Sequence, residues 1–144
     1  MSYGLVVNST LKKLSLSRNQ LSDDSMVQLF KNLNHDDTQS ILFELDISSN
    51  HLKDKSAFHL ANLLKNEDCS LISIDISNNS ITSAGVSELF STIIGVQRVE
   101  NLNVMMNLGV PHQLIVAVQN CLERNRHSKK KHQLPYMLGK RAYL

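Results

Sequence analysis

The chain has 144 residues, of which 42% are hydrophobic and 19% charged, with a formal net charge of +2. That leaves room for one domain, too much apolar content for whole-chain disorder, and no apolar run near the roughly 20 residues that cross a bilayer. Aromatics make up 5% and tryptophan is absent, so the core must be aliphatic.

Cys69 and Cys121 make no disulfide framework and suit a reducing compartment. The first residues lack the basic and cleavable apolar stretches of a secretory leader. The expectation is therefore an intracellular, cytoplasmic protein, with the nucleus as the second reading.

In chain order, the first pattern is Leu11-x-x-Leu14-x-Leu16-x-x-Asn19-x-Leu21. Its alternation predicts a short strand with every second side chain inward. The asparagine that ends it can donate and accept at once, and so satisfy backbone groups where the chain turns. Ser22 reads as an N-cap, and Met26, Leu29, Phe30 and Leu33 follow at the spacing of one helix face. The strand pattern recurs as Leu42, Leu45, Ile47, Asn50 and Leu52, then Asp54 as N-cap and a stripe of Ala57, Leu60, Ala61 and Leu64. It recurs again as Leu71, Ile74, Ile76, Asn79 and Ile81, then Ser83 and a stripe of Val86, Leu89, Phe90 and Ile93.

A decayed fourth copy, Val99, Leu102, Val104 and Asn107, ends at Gly109 where an aliphatic residue was due. The copies start 31, 29 and 28 residues apart. Pro111 suits the first turn of a closing cap helix, 111–122, with Leu114, Ala117, Val118, Cys121 and Leu122 on one stripe. One strand and one helix cannot enclose a core, whereas stacked copies can.

These residues resemble the leucine-rich repeat family, and the unit of about 28–29 residues is similar to its ribonuclease-inhibitor-like class. Cys69 to Gly85 is the best single match, including the glycine early in the helix; Ser25 and Ser56 depart from it. The resemblance covers about residues 5–122. It implies an α/β leucine-rich repeat solenoid of about 3.5 repeats, with parallel strands on the concave face and helices on the convex face. It further implies a non-catalytic surface that binds a protein partner, although a fold alone does not establish a function. The residues themselves, lacking a second ligand set at zinc or calcium spacing, lead to the expectation of no cofactor and no metal.

Motif positions 3, 5 and 7 should point out of the concave face. They are Lys13, Ser15 and Ser17; Glu44, Asp46 and Ser48; Ser73, Asp75 and Ser77; and Asn101, Asn103 and Met105. Arg18, Ser49, Asn78 and Met106 extend the rows. This face is polar, basic at its first strand and acidic in the middle, and lacks the aromatic side chains that commonly anchor interfaces.

Catalysis finds little support. His35-Asp36-Asp37 sits in the longest loop between repeats, and no phosphate loop, nucleophile elbow or Cys-x-x-Cys pair is present. Both cysteines read as structural.

The two ends differ. Residues 1–10 read as the tail of an earlier helix, with no polar cap before the first strand. The chain is therefore expected either to be a fragment of a larger repeat receptor or regulator, or to self-associate or meet a partner through this edge. The alternative is that residues 1–10 fold back as a cap.

At the other end charge changes abruptly. Residues 1–122 hold 8 Lys/Arg against 12 Asp/Glu, whereas 123–144 hold 7 against 1. The boundary is placed after Leu122, giving a repeat domain over 1–122 and a basic, flexible tail over 123–144 with an apolar turn around Pro135. The tail carries Arg124, Arg126, Lys129, Lys130 and Lys131. Three readings stand open for it: a solubilising tail, a nucleic-acid or nuclear-import patch, and a segment that docks on a partner or on the acidic strands.

Overall fold

A computed structural model describes residues 8–33 and 41–139, and of residues 129–139 the backbone alone. Strands and helices alternate through four units: β1 (Lys13–Ser15), α1 (Asp23–Leu33), β2 (Glu44–Asp46), α2 (Asp54–Lys65), β3 (Ser73–Asp75), α3 (Ser83–Gly95), β4 (Asn101–Asn103) and α4 (His112–Gly139). The strands form one parallel sheet in the order β1-β2-β3-β4. Register is set by the inward aliphatics, since Leu14 pairs with Leu45, Leu45 with Ile74, and Ile74 with Leu102. The result is an α/β repeat solenoid of parallel strands and alternating helices, as the resemblance implies. Its fourth unit has both strand and helix, so the eroded motif still makes a whole repeat.

The core runs between sheet and helices as one cluster. Its middle rungs are closed: Leu45, Leu52, Ala61, Leu64, Val86, Leu89 and Ile93 are fully buried. Leu11, Leu14, Leu16 and Leu21 of the first unit are only partly covered among the described residues. Residues 1–7, on which the expected earlier helix or fold-back cap falls, lie outside the described residues, as does His35-Asp36-Asp37. At residues 8–11 the chain makes an Asx turn, with the Asn8 carboxamide oxygen accepting from the Thr10 and Leu11 amides (3.0 and 2.6 Å).

Two ladders of side chains tie each unit to its neighbour. In the first, each asparagine after a strand reaches back one repeat. Asn79 Oδ1 accepts from the Asn50 and Leu52 amides (3.2 and 3.1 Å), while its Nδ2 donates to the Ile47, Ile76 and Ser77 carbonyls (3.1, 3.1 and 3.2 Å). Asn50 does the same toward Asn19 and Leu21, and Asn107 toward Ile81. Asn50 and Asn79 are buried, so the backbone groups around them would otherwise be left without partners.

The second ladder corrects the N-cap assignments. Asp54 and Ser83 are the first helical residues of α2 and α3, and Lys53 and Thr82 occupy the caps. Asp23 accepts from the Lys53 and Ser56 amides (2.8 and 3.2 Å), and Asp54 from the Thr82 and Gly85 amides (2.8 and 3.2 Å). Each aspartate thus caps the following helix rather than its own, satisfying N–H groups that the helix cannot.

The same contact explains the early glycine. A Cβ on Gly85 would lie 2.5 Å from Asp54 Oδ1 and 2.7 Å from Ile81 Cγ2. Ser56 is tolerated at the equivalent place because its hydroxyl donates to Asp23 Oδ1 (2.5 Å). Ser25, on the first described helix, is exposed.

The boundary expected after Leu122 falls inside one helix. α4 continues unbroken to Gly139, so the turn expected around Pro135 is helical backbone. Asn125 occupies the next inward position after Val118, Cys121 and Leu122 and is 1% exposed, so the packed stripe extends past Leu122. Its Nδ2 donates to the Val99 and Ile93 carbonyls (2.9 and 3.4 Å). Residues 140–144, with Lys140 and Arg141, lie outside the described residues.

Each residue before a ladder asparagine is left-handed: Arg18, Ser49, Asn78 and Met106 have φ of 59°, 55°, 51° and 58°. Asparagine tolerates this region better than methionine does. Met106→Asn is expected to raise stability by about 0.5–1 kcal/mol. Asn79→Ala should cost about 3–5 kcal/mol by stranding several buried backbone groups, whereas Asn19→Ala, at an exposed turn, should cost under about 1 kcal/mol. Urea unfolding of the three variants checks both statements.

Candidate partner-binding face

The sheet surface opposite the helices carries every concave residue expected from the motif. Strand pairing aligns Lys13, Glu44, Ser73 and Asn101 in one row, and Ser15, Asp46, Asp75 and Asn103 in the next. Ser17, Ser48, Ser77 and Met105 continue it at the turns. All are at least partly open to solvent, while their chain neighbours Leu45, Ile47, Ile74 and Ile76 are buried. The alternation of side chains across a pleated strand produces this separation.

These polar groups are largely bonded to one another. Ser15 donates to Asp46 Oδ2 (2.9 Å), and the Ser48 amide and hydroxyl donate to Asp46 Oδ1 (3.0 and 2.7 Å). Asp75 accepts from the Ser77 amide and hydroxyl (2.9 and 2.6 Å) and from Asn103 Nδ2 (2.9 Å). Lys13 pairs with Glu44 at 2.7 Å, and its ammonium sits 5.9 Å from the Phe43 ring centroid. The recurrent Asp-x-Ser is therefore a local brace. Each carboxylate closes the turn after its own strand and accepts one bond from an outer strand.

Asp46 and Asp75 are direct register partners, and no hydrogen bond joins them. Like charges placed across adjacent strands repel, so each is held by donors on its far side. Burial pushes the Asp46 carboxyl upward, but the hydrogen bonds from Ser48, Ser15 and Ser17 outweigh it and hold the group below the usual carboxylate range. The centre of the face is thus anionic and pre-ordered.

Among the described residues Ile41, Phe58 and Ile94 are exposed singly along the chain, whereas four exposed apolar residues follow β4. Met105 is 46% exposed, Met106 74% and Leu108 57%, with Val116 on the first turns of α4 at 36%. Sequence reasoning found Met105 and Met106 but missed Leu108 and Val116. The five apolar residues Leu114 to Val118 are too many for one inward stripe, and that was the available signal.

It also missed Arg126 as a structural group. Instead of projecting from a tail, Arg126 Nε donates to the Glu100 carbonyl (2.8 Å) and Nη2 to Asn101 Oδ1 (3.3 Å). Arg124 Nη2 reaches Cys121 Sγ (3.4 Å). The side chains of Lys129, Lys130 and Lys131 are outside the described set, although their backbone is helical.

On the convex side, Lys55–Asp24 and Lys65–Glu88 bridge neighbouring helices (2.8 and 2.9 Å). Arg98 donates to the Leu64 and Asn66 carbonyls at the end of α2. Cys69 and Cys121 are buried thiols. Among the described residues no three His, Cys, Asp or Glu side chains converge where a metal ion could sit, and no helix is long and apolar enough to cross a membrane.

Two stretches of the chain, residues 7–30 and 67–90, match the family model described as Leucine Rich repeat. No curated protein matches the sequence. Among solved structures, the chain is similar to leiomodin-1 actin-binding site 2, with a TM-score of 0.72 and 14% identity over 92% of this chain and 91% of that one. At that identity the likeness is one of fold.

The brace around Asp46 carries a pH signature. Its lowered folded pKa adds stability that is complete above the unfolded value of about 4 and is lost as pH falls through the folded value. Asp46→Asn should therefore destabilise the fold at pH 7 by at most about 1 kcal/mol, given solvent screening. The difference from the wild type should narrow as pH drops below about 4, which urea unfolding at pH 7, 5 and 3 would measure.

Proposed function

We propose that this leucine-rich repeat solenoid is a non-catalytic protein-interaction module that grips its partner with the concave face and the margin beyond β4. The observation that carries the reading is the in-register row Ser15, Asp46, Asp75 and Asn103, which gathers four separate repeats into one pre-ordered surface. Its centre, with two adjacent carboxylates, fits a cationic side chain of the partner. Met105, Met106 and Leu108 supply apolar contact area at its margin. Pre-ordered polar groups lose little entropy on binding, and methionines adapt their shape to the surface they meet.

The unit length and Gly85 support placement in the ribonuclease-inhibitor-like class. The two buried thiols support a cytoplasmic setting in which the module acts as a scaffold. Actin is a partner worth testing first, because the solved neighbour bears an actin-binding site by title. The same reading covers a chain that is one segment of a larger repeat regulator. A second reading is favoured by α4, whose unbroken backbone carries Lys129 to Lys131 on the same helix as the repeat body, a basic run that suits nucleic acid.

The test is a parallel affinity capture with the intact chain, Asp46→Arg/Asp75→Arg, and a chain ending at residue 128, with purified actin as one probe and duplex DNA at graded salt as another. Loss of protein capture with the double variant supports the concave face; unchanged capture moves the site to the helices or edges. Salt-sensitive DNA retention that vanishes on shortening supports the second reading, and no retention at low salt removes it.

A further inference from the structure

We infer that Asn125 and Arg126 form a latch that occupies the β4 margin of the sheet and fixes the direction in which the basic helix leaves the repeats. The argument starts from the hydrogen bonds between strands. One carbonyl before each strand accepts two amides of the next: Lys12 from Phe43 and Glu44, Phe43 from Ile72 and Ser73, and Ile72 from Glu100 and Asn101. Glu100 is the equivalent carbonyl of the fourth unit. Arg126 Nε fills that place at 2.8 Å, and Nη2 spans to Asn101 Oδ1 on the concave row. A guanidinium thus stands where the amides of a fifth strand would.

Asn125, one residue earlier, works from the inside. It is buried, and its carboxamide ties α4 to the Val99 carbonyl just before β4 and to the Ile93 carbonyl near the end of α3. The two side chains therefore clasp the start of β4 from opposite faces, one within the core and one at the rim. An uncovered strand margin is a template for pairing with another chain, and a charged group set on it blocks that pairing. The latch also makes the following helical turns, with their lysines, a continuation of the repeat body in the described backbone. Arg124 provides the natural contrast. It carries the same charge on the same helix but meets Cys121 on its own turn, so it should not act on the margin.

The test is hydrogen exchange with Arg126→Ala, Arg126→Lys and Arg124→Ala in the full chain, together with light scattering over a range of concentrations. Arg126→Ala should speed exchange at residues 100–103 and 123–128 about tenfold or more, leave β2 unchanged, and allow a second copy to associate as concentration rises. Arg126→Lys, which keeps the charge but not the two-pronged geometry, should fall between it and the wild type. Arg124→Ala should match the wild type. Equal behaviour of Arg126→Ala and Arg124→Ala, or unchanged exchange around β4 in Arg126→Ala, would overturn the latch.

Discussion

A three-residue strand and one helix, of three or four turns in the first three units, have too little surface to bury a core of their own, so each unit of this protein depends on its neighbours. The interaction that enforces the stacking is the asparagine ladder. Asn50 and Asn79 are each buried and each bond backbone groups of two repeats. A repeat displaced by one residue would leave amides and carbonyls unmatched in the interior, at a cost larger than most single contacts can recover. The aspartates at the starts of α1 and α2 act in the same sense on the convex side, because each completes the helix that follows. Sheet and helices are thus fixed to the same register from both faces.

The proposed binding face is a consequence of that register. Once Leu14, Leu45, Ile74 and Leu102 point inward as adjacent rungs, the residues flanking them must form rows on the opposite side. Those rows are rich in groups that hold one another. Asp46 and Asp75 each accept at least three hydrogen bonds, so the face is ordered before any partner arrives. Under the proposed function, specificity comes from this fixed pattern of charge and affinity from the exposed aliphatic and thioether groups that follow β4.

Much of this was readable in the sequence because its signals are periodic. Alternating aliphatics, an asparagine in phase, and helical stripes at a constant distance define the strands, the helices and the concave rows without reference to distant contacts. What escaped notice was carried by single residues acting across repeats. Asp54 looks like a cap for its own helix, and only the stacked neighbour reveals that it serves Thr82 and Gly85. Asn125 lies at an inward helical position, but a polar residue there reads as the end of the stripe when its partners, the Val99 and Ile93 carbonyls, are unknown. Arg126 was grouped with the tail by charge, since sequence composition cannot separate a cation that projects into water from one bonded to a strand margin. The left-handed turns before each ladder asparagine have no common residue type, so nothing at Arg18 or Met106 announced them.

Cross-strand proton contacts in solution, measured by nuclear Overhauser spectroscopy on the labelled chain, test the common register most directly. The account requires backbone contacts that link Lys13 to Glu44, Glu44 to Ser73 and Ser73 to Asn101 within a single parallel sheet. A set of contacts shifted by one residue at any rung would turn Asp46 or Asp75 toward the core and contradict it.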